Sequence, residues 1–338
     1  MEEWKGALEN QILNRKFWKN KRVLLTGFEG FLGSNLTKKL ISLGANVIGL
    51  DIKVRRKETV LHRTDYDKIA VIKGSVTNYN LVNKLVEKHK IEMIFHLAAE
   101  ALVEDCHRQP LNAFSTNIVG TWNVLEAGRN ARSVKAIIVA SSDKAYGNHK
   151  ILPYREDAAL CGNNTYDVSK SCLDLITTAY FNSYRLPVAI TRSGNIYGPG
   201  DFNFSRIIPD CIRCALLARK FYIRSDGEYI RDYVFVDDIV NGYILLAEKL
   251  RPLALSGEAF NLSNEAPINV LNLTDKIFIL SGRKPNYTVL NKAKNEIRRQ
   301  FLLSRKARKI LGWKPKYSLD EGLKLSIDWY KGIFLKER

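Results

Sequence analysis

Val23-Leu24-Leu25-Thr26-Gly27-Phe28-Glu29-Gly30-Phe31-Leu32-Gly33 is the stretch that decides the fold. A short apolar run ends in G-x-x-G-x-x-G spacing, and Leu32, Leu36, Leu40 and Leu43 then recur at helical intervals up to Gly44. Strand, glycine turn and helix in that order open a dinucleotide-binding βαβ unit. Glycine is needed because the turn takes positive φ, the backbone must approach a pyrophosphate, and the helix must pack closely on the strand. The helix N-terminus then offers free N–H groups and its dipole to the phosphates. Gly27, Gly30, Phe31, Leu32 and Gly33 are therefore expected to hold a dinucleotide.

Outward from this turn the same rhythm continues. Val47–Leu50 reads as a second strand closing at Asp51, followed by Ile52. A carboxylate there is placed to accept hydrogen bonds from both adenosine ribose hydroxyls, which predicts NAD. The rival, NADP, would use Lys53, Arg55 and Arg56 for its extra phosphate, but these lie further from the strand end. Strands are expected at Ala70–Ile72, Met93–Leu97, Ala136–Ala140 and Val188–Thr191. Helices are expected over Leu81–Val86, Ala113–Ala131 and from about Tyr166. The alternation predicts an α/β, doubly wound parallel Rossmann sheet.

After Arg192 the rhythm breaks at Gly194, Gly198, Pro199 and Gly200, before a helix near Ile207–Arg219. The expected division is a dinucleotide-binding domain over 19–192, with 233–260 returning to it. A smaller α/β lobe for substrate takes 193–232 and 261–338, and residues 1–18 form an amphipathic helical extension.

Composition narrows the setting. The chain has 338 residues, 46% hydrophobic and 26% charged, and no apolar run approaches the roughly 18 residues a membrane span needs. The first residues lack the basic and apolar regions of a signal peptide. Five scattered cysteines suit a reducing compartment, so the cytoplasm is expected. Cys211 and Cys214 read as neighbours on one helical turn, and no metal is predicted. A formal charge of +18 raises the question of nucleic acid. Lys and Arg are dispersed and accompany no nucleic-acid module, which argues against such a partner. A few arginines suit a diphosphate-bearing small molecule instead.

Tyr166-Asp167-Val168-Ser169-Lys170 sets a phenol and an ammonium four residues apart, on one face of a helix. Removing a hydroxyl proton as hydride departs requires a base active near neutrality, and tyrosine's ordinary pKa of about 10 is too high. The Lys170 cation and a nicotinamide's positive charge would favour the phenolate. Ser141-Ser142-Asp143 closes the strand before this helix. His96, on the fourth strand, reads as a buried residue rather than a catalyst.

With these pieces the chain resembles the extended short-chain dehydrogenases that act on nucleotide sugars, along nearly its whole length. Phe95-His96-Leu97-Ala98-Ala99, Ser115-Thr116-Asn117 with Gly120-Thr121, Arg192 to Gly200 and Arg231 to Asp238 are all similar to that family's motifs. The resemblance implies that Leu97, Ala98, Ala99, Asn117, Ser75 and Val76 line the NAD site, although Ser75 stands where the family usually has an adenine-contacting aspartate. It implies Ser142, Tyr166 and Lys170 as catalytic residues. Asn195, Arg224 and Arg231 match positions at which the family holds the nucleotide diphosphate, with arginine forks suited to phosphate, and Arg206, from the region of the helix after Pro199, is a further substrate candidate. It further implies a homodimer built from the helices near Ala113–Ala131 and Tyr166–Tyr180.

Within that family the chain resembles the CDP-glucose 4,6-dehydratases, through Phe17-Trp18, Ser142-Asp143-Lys144, Phe301 and Leu311-Gly312-Trp313-Lys314-Pro315. In the dTDP-glucose enzymes a Thr-Asp-Glu triplet supplies the acid that expels the C6 hydroxyl and the base at C5. Lys144 stands at that Glu position, as it does in the CDP-glucose enzymes. The expectation is a 4,6-dehydratase with Asp143 as acid and Lys144 as C5 base or substrate-orienting group. The alternative is a 4-epimerase, in which Asp143 and Lys144 are only polar neighbours. A scaffold that merely binds NAD is disfavoured by the intact Ser142, Tyr166 and Lys170.

Overall fold

The structure, a computed structural model, describes residues 13–293 and 297–335. Six strands, β1 (Arg22–Thr26), β2 (Asn46–Asp51), β3 (Ile69–Lys73), β4 (Met93–His96), β5 (Ala136–Ser142) and β6 (Val188–Ser193), join a seventh, Ala259–Leu262, in one sheet. Its order runs from Ala259–Leu262 through β6, β5, β4, β1 and β2 to β3, and every pairing is parallel. The strand order reverses between β1 and β4, and the crevice at their carboxyl ends is where such sheets bind ligands.

Both faces of the sheet are covered, as a parallel sheet requires. Along β1, Val23 and Leu25 enter one core while Leu24 enters the other, following the period of two. The first core includes Leu36 and Leu40 from the helix Phe31–Ser42 and Tyr243 and Leu246 from the helix Val236–Lys249. The second takes Val82, Leu85 and Val86 from the helix Tyr79–Lys88, with Val124 and Leu125 from the helix Gly120–Asn130. A third core lies apart from the sheet. It gathers Ile208, Ile212, Phe221, Ile277 and Ile327, and it includes Cys211 and Cys214 as packed side chains of the helix Ile207–Leu216.

Three expectations need correction. The helix expected over Ala113–Ala131 is interrupted: Pro110–Phe114 and Gly120–Asn130 flank a π-helical turn, Ser115–Val119. That turn carries Asn117, whose side chain is held from two directions, as described below. The helical extension expected over residues 1–18 is helical only at Arg15–Trp18 among its described residues, and residues 1–12 lie outside them. Trp18 is no appendage, since it is fully buried beside Phe95 and donates its indole N–H to Glu248 at 2.6 Å. Finally, Ala307, Leu311 and Trp313, assigned from sequence to the second lobe, bury in the first core. There the Trp313 indole N–H donates to the Asp238 carbonyl at 2.9 Å.

Candidate active site

The glycine turn has the shape that its spacing demands. Gly27 has φ of +72°, and a Cβ there would stand 2.9 Å from the Ala98 nitrogen. A Cβ on Gly33 would stand 2.0 Å from the Gly27 carbonyl oxygen. Gly30 caps the helix Phe31–Ser42 with no side chain closing its N-terminus. The first N–H groups of that helix have no preceding turn to bind, so they are directed at whatever lies in the crevice. The turn therefore packs on its own helix and on the segment after β4 with no room for side chains, and this close approach with open N–H groups at the helix start fits a dinucleotide pyrophosphate. Gly33→Ala is accordingly expected to cost about 1–3 kcal/mol through overpacking. The same variant is expected to give a melting temperature that no longer rises with added NAD, which differential scanning fluorimetry would read.

Thr26 ties this turn to β4. Its hydroxyl oxygen accepts from the Leu97 and Ala98 N–H groups at 3.2 Å each and lies 2.8 Å from His96 Nδ1. His96 Nε2 lies 3.0 Å from the Thr121 hydroxyl, which itself donates to the Asn117 carbonyl. The chain of donors is consistent only if Thr26 donates to Nδ1 and Nε2–H donates to Thr121, a neutral imidazole. Burial, and secondarily the Lys170 charge, push His96 down to about 3. His96 is thus a strut, as its place on the strand suggested.

Asp51 closes β2 almost fully buried. Its carboxylate accepts from the Glu29 N–H at 3.3 Å, the Lys53 N–H at 3.2 Å and Arg56 Nη2 at 2.8 Å. Sequence distance suggested that Arg56 lies outside this position, but its guanidinium sits on the carboxylate. The reason is Glu29, in the glycine turn, whose buried carboxylate takes the Arg55 and Arg56 N–H groups at 2.5 and 2.7 Å and folds that loop back. Ile52 beside it is half exposed. Ser75 is turned into its own bend, 2.8 Å from the Thr77 hydroxyl, and Val76 is buried against Gly120. Asn117, expected to contact cofactor, is spent inside the protein. Its carbonyl accepts from the Glu100 N–H at 2.8 Å, and its amide donates to the Glu100 carbonyl and to Ser169 at 3.1 and 2.8 Å. It pins the turn containing Leu97, Ala98 and Ala99 to the helix Thr165–Tyr184.

That helix begins at Asn164, whose side chain accepts from the Asp167 N–H at 3.0 Å, so Tyr166 sits in the first turn and Lys170 one turn later. Lys170 is buried against β5 and donates to the Ala140 carbonyl at 2.9 Å, with its nitrogen 5.8 Å from the centre of the Tyr166 ring. Burial draws the Lys170 ammonium down to about 8. The Tyr166 phenol goes the other way: burial pushes it well above its ordinary value, and a hydrogen bond with Ser142 only partly offsets this. The four-residue spacing predicts a phenol lowered by Lys170, but that ammonium is held on a backbone carbonyl instead of on the phenolic oxygen. Position along the helix is locked by a buried ion pair. Arg192 grips Asp174 through Nε at 3.2 Å and Nη2 at 2.9 Å, and Ser141 donates to the same carboxylate at 2.6 Å. Removing one member of such a pair typically costs about 3–5 kcal/mol.

Beyond β5, Ser142 donates to Asp143 at 3.0 Å and accepts from the Lys144 N–H at 3.2 Å. The Lys144 ammonium is 3.5 Å from the Asp143 carboxylate and donates to the side-chain carbonyl of Gln300. Desolvation lowers the Lys144 pKa from its ordinary value, against the pull of Asp143 and Asp167. Asp167 is itself raised to about 6 by burial, and its Oδ1 has no partner. Glu29, Asp167 and Gln300 were not anticipated. Gln300 arrives on a two-residue strand, Arg299–Gln300, paired with Ile230–Arg231, and nothing local in the sequence marks it.

The four substrate candidates are placed unequally. Asn195 donates twice to the Asp232 carbonyl, from its N–H at 3.0 Å and its side chain at 3.2 Å. Arg231 lies beside the Ile230 and Arg298 carbonyls, and its charge acts on Lys144. Arg206 pairs with the buried Asp201 at 3.1 Å, lies 6.0 Å from the centre of the Phe31 ring, and its charge lowers the Tyr166 phenol. Arg224 is exposed just past the strand Phe221–Ile223.

Residues 24–325 match the family described as GDP-mannose 4,6 dehydratase. The chain is 29% identical over 335 residues to the CDP-glucose 4,6-dehydratase of Salmonella typhimurium, covering 95% of this chain and 93% of that protein. It is also 29% identical over 316 residues to the UDP-glucose 4-epimerase of Mycolicibacterium smegmatis, covering 92% of this chain and 98% of that one. Among solved structures it is similar to the dTDP-glucose 4,6-dehydratase of Bacillus anthracis in complex with NAD. The TM-score is 0.82 at 26% identity, with 92% of this chain and 97% of that chain covered.

Proposed function

The chain belongs to the GDP-mannose 4,6 dehydratase family, and from that premise we propose that it is an NAD-dependent nucleotide-sugar 4,6-dehydratase, with CDP-glucose as the leading substrate. The observation that carries this reading is the Asp143–Lys144 pair, 3.5 Å apart at the carboxyl end of β5 and next to Ser142 and Tyr166. An enzyme that only oxidises and re-reduces C4 needs neither an acid for C6 nor a base for C5.

The glycine turn at Gly27, Gly30 and Gly33 would hold NAD by its pyrophosphate, and NAD there would supply the hydride-transfer chemistry. Tyr166 takes the C4 hydroxyl proton, oriented by Ser142 and by the helix that Lys170 and Asp174 fix to the sheet. The C4 ketone acidifies C5. Lys144 removes the C5 proton while Asp143 protonates the C6 hydroxyl, which departs as water; reduction at C6 with return of the proton from Lys144 to C5 then gives the 4-keto-6-deoxy sugar. Arg206, Arg224, Arg231 and Asn195 bind the nucleotide diphosphate, and Asp51 takes the adenosine ribose hydroxyls.

The partner in solution is a second copy of the chain, a reading supported by exposed Trp122 and Leu175 on the helices expected to pair. The setting is the cytoplasm, supported by five free cysteines. No helix among the described residues is long and apolar enough to cross a membrane.

The 4-epimerase reading has one observation in its favour: the Mycolicibacterium epimerase is as similar to this chain as the Salmonella dehydratase. Incubation with CDP-glucose, UDP-glucose, dTDP-glucose and GDP-mannose separates the two. The expected result is a keto product with alkali-induced ultraviolet absorbance, and greatest conversion with CDP-glucose. A product changed only in its C4 configuration assigns the epimerase instead.

A further inference from the structure

We propose that Gln300 is a positioning residue that aims Lys144 and keeps its amine available as a base. The inference rests on the dehydratase reading, in which Lys144 removes the C5 proton.

Gln300 is fully buried, so its amide has no water to satisfy it and must bond to protein. Both ends are used on one short segment. The Gln300 amide N–H donates to the Asp143 carbonyl at 3.0 Å, and its carbonyl accepts from the Lys144 ammonium. The first bond fixes the amide against the end of β5, and the fixed amide then dictates where the Lys144 nitrogen sits. Because Gln300 pairs in register with Arg231, the same short strand ties Lys144 to an arginine assigned to the substrate diphosphate.

The choice of amide matters for proton affinity. Charged groups reach Lys144 from three elements: Asp143 on its own turn, Asp167 on the helix Thr165–Tyr184, and Arg231 on the strand opposite. The two carboxylates favour the ammonium, while Arg231 and burial oppose it. A third carboxylate in place of Gln300 would tip that balance toward a permanently charged lysine, unable to accept a proton. A neutral amide supplies an acceptor for the nitrogen without adding charge, so the amine stays close to the pH at which it can work.

Two substitutions of similar size move Lys144 in opposite directions. Gln300→Glu adds an opposite charge, and a charge within about 4–6 Å raises an ammonium's pKa by about one to three pH units. Gln300→Met removes the acceptor and lowers it. The activity readout is the rising limb of kcat against pH. The second readout needs no turnover: the rate at which acetic anhydride acylates Lys144, followed by mass spectrometry of the holoenzyme, with exposed lysines as internal standards. Expected are a rising limb displaced to higher pH and slower acylation in Gln300→Glu, by about tenfold or more for a displacement of one pH unit or more. Gln300→Met should acylate faster and show a lower kcat at little-changed KM. Limbs and acylation rates that coincide with those of the parent in both variants overturn the proposal. If the parent makes no keto product from any nucleotide sugar, the dehydratase reading fails on its own, and acylation still decides whether Gln300 governs Lys144.

Discussion

Tyr166→Phe is expected to lower turnover about 10²- to 10⁴-fold while leaving NAD retention and melting temperature unchanged, the range typical for loss of a general base. The ring can stay where it is, because its position is set by the helix Thr165–Tyr184, and that helix is held by the Arg192–Asp174 pair and by Asn117 through Ser169. Only the hydroxyl is removed. The size of the effect follows from how little else can take the C4 proton. His96 is neutral and committed at both nitrogens, Lys170 is bound to the Ala140 carbonyl, and Ser142 donates to Asp143. Burial pushes the Tyr166 phenol upward, so the protein alone does not make it a base near neutrality. The positive charge of a bound oxidised nicotinamide would have to supply the difference. Steady-state rates on the nucleotide sugar that gives most product would measure the fall in turnover. A variant that retains turnover within a few-fold of the parent would remove Tyr166 from the mechanism.

Asp143→Asn should separate the two halves of the reaction. The amide keeps the shape and can still receive the Ser142 hydroxyl, but it has no proton to give to the C6 hydroxyl. Keto-deoxy product is expected to fall about 10²- to 10⁴-fold. Oxidation at C4 and proton removal at C5 do not pass through Asp143. Substrate recovered from deuterium oxide should therefore carry solvent deuterium at C5, detectable by mass spectrometry or proton NMR. Parallel loss of product and C5 exchange would mean that Asp143 serves the oxidation step instead. Unchanged product formation would mean that it is only a polar neighbour.

Much of this was legible in the chain because it is local. The G-x-x-G-x-x-G turn, the leucine spacing behind it and the alternation of apolar strands with helices each fall within about a dozen residues, and they fix the parallel sheet. The Tyr166–Lys170 spacing likewise depends on one helical turn. What the sequence could not display are contacts made by distant segments. Lys144 and Gln300 are 156 residues apart, and Trp18 and Glu248 are 230 apart. Arg56 looked remote from Asp51 along the chain, yet the Glu29 carboxylate gathers its loop back onto the ribose position. Asn117 shows a different failure. Its motif was visible, but the contacts of its buried amide with Glu100 and Ser169 were not, because they join segments that the motif does not name. The direction of the Tyr166 shift was also hidden, since burial is a property of the fold and the spacing of Lys170 says nothing about it.

The central claim, that the hydrogen removed from C4 under Tyr166 is returned to C6, is tested most directly by a substrate carrying deuterium at C4. After complete turnover of the labelled nucleotide sugar, NMR should find the deuterium in the product's new C6 methyl group. Deuterium found still at C4, or lost to water, would contradict it.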